Sequence, residues 1–173
     1  MNKIPTPAEC IDLLKKEGCS KNVIEHCKAV RDFAVRIAKK AGADVKLVEA
    51  GALLHDIGRS KTHGIKHVLE GIKIAKKLKL SKEIVRIIER HIGAGITSDE
   101  AKKLGLPPNN YMPITLEEKI VCHADNLIQS GKKHTIEAEL KNAIKKGHKD
   151  YAIRLIDLHK ELSEICGINL NEI

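Results

Sequence analysis

Helix start and stop signals punctuate this chain from end to end, and they leave little room for anything but an all-helical fold. Thr6-Pro7-Ala8-Glu9 reads as a capping box with proline at the first helical position, and Gly18 closes that helix. Ser20 opens a second helix running to Gly42, with Val23, His26, Val30, Phe33 and Ile37 along one face. Asp44 caps a third ending near Gly58, a fourth covers about 65–78, and Ser81 caps a fifth ending at Gly93. Thr115-Leu116-Glu117-Glu118 is another capping box and starts a helix to about Ser130. Two more, over about 136–146 and 150–166, close at Gly147 and Gly167. Alternating strand patterns, internal repeats and low-complexity linkers are missing. Between 92 and 114 the helical pattern breaks into Gly93, Gly95, Pro107, Pro108 and Pro113, with a short helix around 99–104. Such long irregular segments inside compact domains are more often functional than accidental.

Size and charge narrow the class. At 173 residues the chain suits one domain over 1–173, with a core at about 20–130 and C-terminal helices over 135–167 packed on it. Lys and Arg exceed Asp and Glu by 31 to 23, a net +8, but the lysines are dispersed rather than blocked into a tail. This lysine- and glutamate-rich balance resembles hyperthermophile usage, so many of these charges are expected on solvated helix faces. Phe33, Tyr111 and Tyr151 are the only aromatics, which argues against a nucleic-acid surface built on stacking platforms. Five cysteines without a C-x-x-C pair argue against a disulfide framework or zinc ribbon. No apolar run approaches the roughly 18 residues of a membrane span, and no signal peptide is legible, so a cytoplasmic protein is expected.

The ionisable residues on apolar stripes carry the chemistry. His26 lies in line with Val30, Phe33 and Ile37, and His55-Asp56 ends the apolar run Ala50-Gly51-Ala52-Leu53-Leu54. His67 precedes the small Gly71 by one turn, His91 shares a face with Ile84 and Ile88, and Asp125 shares one with Val121 and Ile128. Burying five such groups is costly unless they satisfy one another or bind a metal. Imidazoles and carboxylates without a thiolate pair suit Fe, Mn, Zn or Co. Cys27 and Cys122 border these positions and read as core. His123 reads as packing or as an outer contact; His134, His148 and His159 lie in lysine-rich contexts and read as surface. No H-E-x-x-H, G-x-S-x-G or P-loop pattern is present.

The order His26…His55-Asp56…Asp125, with Ile57-Gly58 completing H-D-I-G, resembles the HD superfamily of metal-dependent phosphohydrolases. The resemblance implies a single-domain HD-type helical bundle in which His26, His55, Asp56 and Asp125 surround one divalent ion. His67-Val68-Leu69-Glu70-Gly71 and His91 are similar to the second-metal positions of two-ion members, with Asp56 bridging. Many two-metal relatives carry paired histidines where this chain has His91 alone. Fe(II) or Mn(II) is the expected metal, with Zn, Co or Ni as alternatives. The implied reaction is attack of a metal-bound hydroxide on phosphorus, with His55 and Asp56 as catalytic residues. Arg59, Lys61, His63 and Tyr111 are candidates to contact the substrate.

That substrate is expected to be a small anionic phosphate ester rather than nucleic acid, and a homo-oligomer is left open. Similarity to small archaeal members implies opening of a 2′,3′-cyclic phosphate, that of 7,8-dihydroneopterin in methanopterin synthesis. A nucleotide 5′-phosphomonoesterase and a non-catalytic nucleotide-sensing module are the alternatives.

Overall fold

A computed structural model describes residues 3–173. The all-α expectation holds. The helices are α1 (Pro7–Glu17), α2 (Lys21–Ala41), α3 (Val45–Leu54), α4 (His67–Lys77), α5 (Lys82–Glu89), α6 (Ser98–Lys103), α7 (Leu116–Leu127), α8 (Ile136–Lys145) and α9 (Lys149–Cys166). Every N-terminal capping residue read from sequence caps its helix. Thr6 and Thr115 form full boxes with Glu9 and Glu118, and Ser20, Asp44 and Ser81 each accept a backbone N–H three residues on. Each cap satisfies a donor that the first helical turn leaves unpaired.

The helix ends differ from expectation where the site is built. α3 stops at Leu54 rather than near Gly58, and a 3₁₀ turn over Ile57–Ser60 follows. α5 stops at Glu89, so His91 stands beyond the helix rather than on it. α7 ends at Leu127 and leads into a small antiparallel hairpin that the helical reading missed, with Ile128 opposite Lys133 and Gln129 opposite Lys132. Ser130 and Gly131 form its two-residue loop, both at positive φ, 50° and 73°. Such primed turns match the twist of the flanking strands.

α2 packs against α3 and α7, and α3 and α7 both meet α5, around a core that includes Phe33, Ile37, Leu53, Leu54, Ile84 and Ile88. α8 and α9 pack on each other, and α9 closes on α2 and α7 through buried Leu155 and Leu162. The irregular 92–114 segment has a small core of its own: Ile96, Ala101, Leu106 and Tyr111 pack on Val68 of α4. Glu118 anchors its end, where Oε2 accepts N–H bonds from Ile114 at 2.7 Å and Arg90 at 2.9 Å.

One close approach explains two glycines. The 3₁₀ turn runs so near the start of α4 that a Cβ on Gly58 would lie 1.8 Å from the His67 carbonyl oxygen and 2.5 Å from the Gly71 nitrogen. A Cβ on Gly71 would meet an Ile88 methyl at 2.8 Å. Glycine at 58 and 71 therefore lets the segment carrying His55-Asp56 lie directly against the helix carrying His67.

Candidate metal centre

Five elements deliver six ionisable side chains to one place. His26 comes from the second turn of α2, and His55 is the last residue of the α3 turn with Asp56 following it. His67 opens α4, His91 follows α5, and Asp125 sits near the end of α7. His55, Asp56, His67 and His91 are almost wholly buried, while the side chains of His26 and Asp125 keep about a quarter and a fifth of their surface. The centre thus opens at the His26 and Asp125 end. A cleft of about 470 Å³ lies there, lined by Asn22, Glu25, His26, Ser130 and Gly131.

Asp56 divides the cluster. Its Oδ2 lies 3.6 Å from His55 Nε2 and 3.9 Å from His26 Nε2, while its Oδ1 lies 3.1 Å from His67 Nε2 and 3.5 Å from His91 Nε2. Asp125 Oδ1 completes the first side, 2.8 Å from His26 Nε2 and 3.3 Å from His55 Nε2. Two sets of donors, His26/His55/Asp125 and His55/Asp56/His91, each converge closely enough to hold one ion. His67 joins the second through contacts with Asp56 and His91.

The protonation pattern favours a cation. His55, His67 and His91 each donate Nδ1–H to the carbonyl three residues earlier, at 2.7, 2.8 and 2.7 Å respectively. A carbonyl can only accept, so Nδ1 carries a proton in each ring and Nε2 is the nitrogen aimed inward. The Nε2 atoms of His67 and His91 face each other at 3.1 Å. Two lone pairs at that distance repel unless a proton or cation lies near both. Buried His55 Nε2 and Asp56 Oδ1 likewise have no hydrogen-bond partner among the described residues. Such orphaned groups in a dry interior are costly, and a divalent cation would satisfy all of them.

Electrostatics agree. Burial alone would suppress charge on His55, but the Asp56 and Asp125 carboxylates outweigh it and hold the imidazole pKa well above its ordinary value. Burial would likewise raise both carboxylates, but the surrounding imidazoles pull Asp56 and Asp125 well below the usual range. A field that favours a proton on His55 favours a metal cation as well. Buried Cys27, beside this set, has its pKa raised by burial and belongs to neither donor set.

The remaining candidates sort themselves. Arg59 Nε donates to Asp56 Oδ2 at 2.6 Å, and Nη1 donates to the His63 carbonyl at 2.9 Å. His63 itself is exposed and reaches this network only through its backbone. Lys61 turns away, its Nζ donating to the Glu17 carbonyl at 3.4 Å. Tyr111 is a correction: it is 2% exposed, and its hydroxyl donates to the Pro107 carbonyl, so it belongs to the small core. His159, expected on the surface, is buried at 4% exposure against His123. His159 Nε2–H donates to Asn169 Oδ1 at 3.1 Å, so its Nδ1 accepts from His123 Nε2–H at 3.0 Å.

Sequence reasoning missed a hydrogen-bonded chain that ties α7 to α8 and α9. Asn126, next to Asp125, donates Nδ2–H to the carbonyls of Gly93 at 2.6 Å and Cys122 at 3.0 Å. The Tyr151 hydroxyl of α9 lies between Asn126 Oδ1 at 3.3 Å and Glu139 Oε1 at 3.1 Å. Its signal in sequence is slight, a tyrosine at the start of a polar helix.

Residues 23–130 match the HD domain family model. The chain belongs to the HD domain family. The matched segment begins in α2 and ends at the hairpin loop, and it holds all six clustered residues. A tRNA (cytidine(56)-2′-O)-methyltransferase of Thermoplasma volcanium is 50% identical over 170 residues, covering 98% of this chain and 50% of that protein. The chain therefore spans half the length of that relative. A ribonuclease Y of Finegoldia magna is 39% identical over 74 residues, covering 42% of this chain and 14% of that protein. Among solved structures, the HD domain of the L. monocytogenes phosphodiesterase PgpH shares the fold with a TM-score of 0.60 at 21% identity, covering 92% of this chain and 97% of that one. That domain has also been solved in complex with cyclic-di-AMP.

Proposed function

We propose that this HD domain is a metal-dependent phosphodiesterase that opens a 2′,3′-cyclic phosphate, with two ions held by His26, His55, Asp56 and Asp125 on one side and Asp56, His67 and His91 on the other. The observation that carries the reading is the set of inward-facing Nε2 atoms around the two oxygens of Asp56, each ring held by Nδ1 on a backbone carbonyl. Bound ions would supply a nucleophilic water at neutral pH and neutralise charge on the phosphoryl oxygens. Fe(II) and Mn(II) suit this mixed imidazole and carboxylate set, with Zn, Co or Ni as alternatives.

The chain's own residues then divide the work. Asp56 spans the two donor groups with separate oxygens, so His55 and Asp56 together set the spacing at which substrate is met. Asp125, with His26 on its Oδ1, stands at the open end and orients what enters from the cleft. Arg59 fixes the Asp56 carboxylate through Nε and keeps a guanidinium charge beside the centre for a phosphate oxygen. The near-complete burial of His67 and His91 excludes bulk water from the inner side.

The substrate class follows the relatives more than the first expectation. Their names concern tRNA, a ribonuclease and a cyclic dinucleotide, and none concerns a pterin. A nucleoside 2′,3′-cyclic phosphate, free or at the end of an RNA, therefore replaces 7,8-dihydroneopterin cyclic phosphate as the proposed substrate. The test offers Mn(II)- or Fe(II)-loaded protein nucleoside 2′,3′-cyclic phosphates, cyclic-di-AMP and nucleoside 5′-monophosphates in parallel, with products followed by ³¹P NMR. A nucleoside 2′- or 3′-monophosphate formed from the cyclic substrate is expected. Free phosphate released from 5′-monophosphates without action on the cyclic substrate would instead establish a nucleotidase.

A further inference from the structure

A second concavity of about 440 Å³ is walled by residues that adjoin the clustered ones in sequence. Ile65, Ile92, Ile96 and Leu104 form aliphatic walls, and Tyr151 lines it as well. Gly93 and Gly95 contribute bare backbone at positive φ, 55° and 97°, and a side chain on Gly93 would stand against the Tyr151 ring at 3.6 Å. The Tyr151 ring cannot swing freely, because its hydroxyl is tied to Glu139 and Asn126. At the rim Arg154 neutralises Glu100 at 2.9 Å, and Lys103 and His148 line the groove as well, which leaves the rim basic.

Three walls grow directly out of the segments that carry the clustered residues. Ile65 is two residues before His67, and Ile92 follows His91, so adjacent Cα atoms lie only about 3.8 Å apart. Tyr151 bonds to Asn126, which follows Asp125. A phosphate ester held at the centre would have near it a mainly apolar groove with a basic rim. A flat uncharged ring would find an aromatic face and four aliphatic side chains on the walls, and the Lys103 and Arg154 rim suits the phosphate that accompanies a nucleoside.

We infer that this groove holds the nucleobase of the substrate, with Tyr151 and Leu104 as its specificity-determining contacts; the inference rests on the phosphodiesterase reading above. Aromatic contact with a base tolerates any base, since every base has a π face, so the groove selects nucleosides over aliphatic alcohols without selecting among sequences.

Two measurements test it. The first compares kcat/KM for adenosine 2′,3′-cyclic phosphate with that for glycerol 1,2-cyclic phosphate, which has no ring. Leu104 is 47% exposed, so Leu104→Glu places a charge in the groove without burdening the fold. The ratio is expected to fall at least tenfold, through KM for the adenosine substrate; an unchanged ratio overturns the assignment. The second needs no turnover: adenosine is titrated into metal-free protein and followed by amide NMR. Shifts at Gly93, Gly95, Ile96 and Leu104 that vanish in Leu104→Glu support the groove even if no cyclic phosphate is cleaved. Shifts absent there, or equal in both proteins, overturn it.

Discussion

At the scale of single residues, orientation matters more than identity. A histidine is a common core residue, but one whose Nδ1–H is spent on a backbone carbonyl has a single remaining lone pair, and three such lone pairs meet here. Asp56→Ala should abolish metal binding on both sides, whereas His91→Ala should remove only one ion; metal content per chain after dialysis reads both. The His123–His159 pair behaves differently because nothing charged compensates its burial. Burial depresses the His123 pKa to about 3. The native state then resists a proton that the unfolded chain accepts below its ordinary value near 6.5, so stability falls as pH drops through that window. His123→Asn should be less stable than wild type at pH 7. The gap should close as pH falls towards 4, at a limiting slope of about 1.4 kcal/mol per pH unit. Parallel curves for the two proteins in chemical denaturation would contradict this.

At the scale of elements, helices were legible wherever a cap announced them. Thr6, Ser20, Asp44, Ser81 and Thr115 each start a helix within a residue of its reading. What escaped were features set by tertiary contact. The α3 end and the hairpin after Leu127 have no periodic signature, and His159 and Tyr111 are buried by neighbours distant in sequence. His26, His55, Asp56, His67, His91 and Asp125 were legible because an ionisable group on an apolar stripe demands a partner. Asn126 and Tyr151 were not, because polar residues on a polar helix demand none.

Two element-scale contacts invite measurement. Gly58→Ala would drive a methyl into the His67 carbonyl and push α4 from the 3₁₀ turn. Destabilisation at the top of the ~1–3 kcal/mol overpacking range is expected. Loss of the ion on the His67 and His91 side should accompany it in metal analysis. Tyr151→Phe keeps the ring but removes the hydroxyl between α7 and α8. The hydroxyl bonds to Asn126 and Glu139 rather than to a clustered side chain and acts by holding α7, which carries Asp125, so Mn(II) affinity should fall by less than the ~10–100-fold of a direct ligand partner while the helical circular dichroism stays unchanged. Equal affinity in the two proteins would reduce Tyr151 to packing.

At the scale of the whole molecule, the charge balance and the buried cluster serve different purposes. The +8 net charge is spread over a lysine-rich surface, whereas the chemistry sits in a dry pocket where charge is balanced locally. Five separate elements must fold before the pocket exists, so a cation that binds only the native state should stabilise the entire chain. At a free concentration 100 times its dissociation constant, one ion would add about 2.7 kcal/mol. Thermal unfolding with and without Mn(II) should show a marked rise in Tm for wild type and none for Asp56→Ala.

The most direct measurement is the number of ions per chain in anaerobically purified protein reloaded with Mn(II) or Fe(II), taken by elemental analysis alongside calorimetric titration. Two ions for wild type, one for His91→Ala and none for Asp56→Ala are expected from the division of donors around the two Asp56 oxygens. Wild-type protein that binds no ion, or an Asp56→Ala variant that binds as many as wild type, would contradict the metal centre and the phosphodiesterase reading with it.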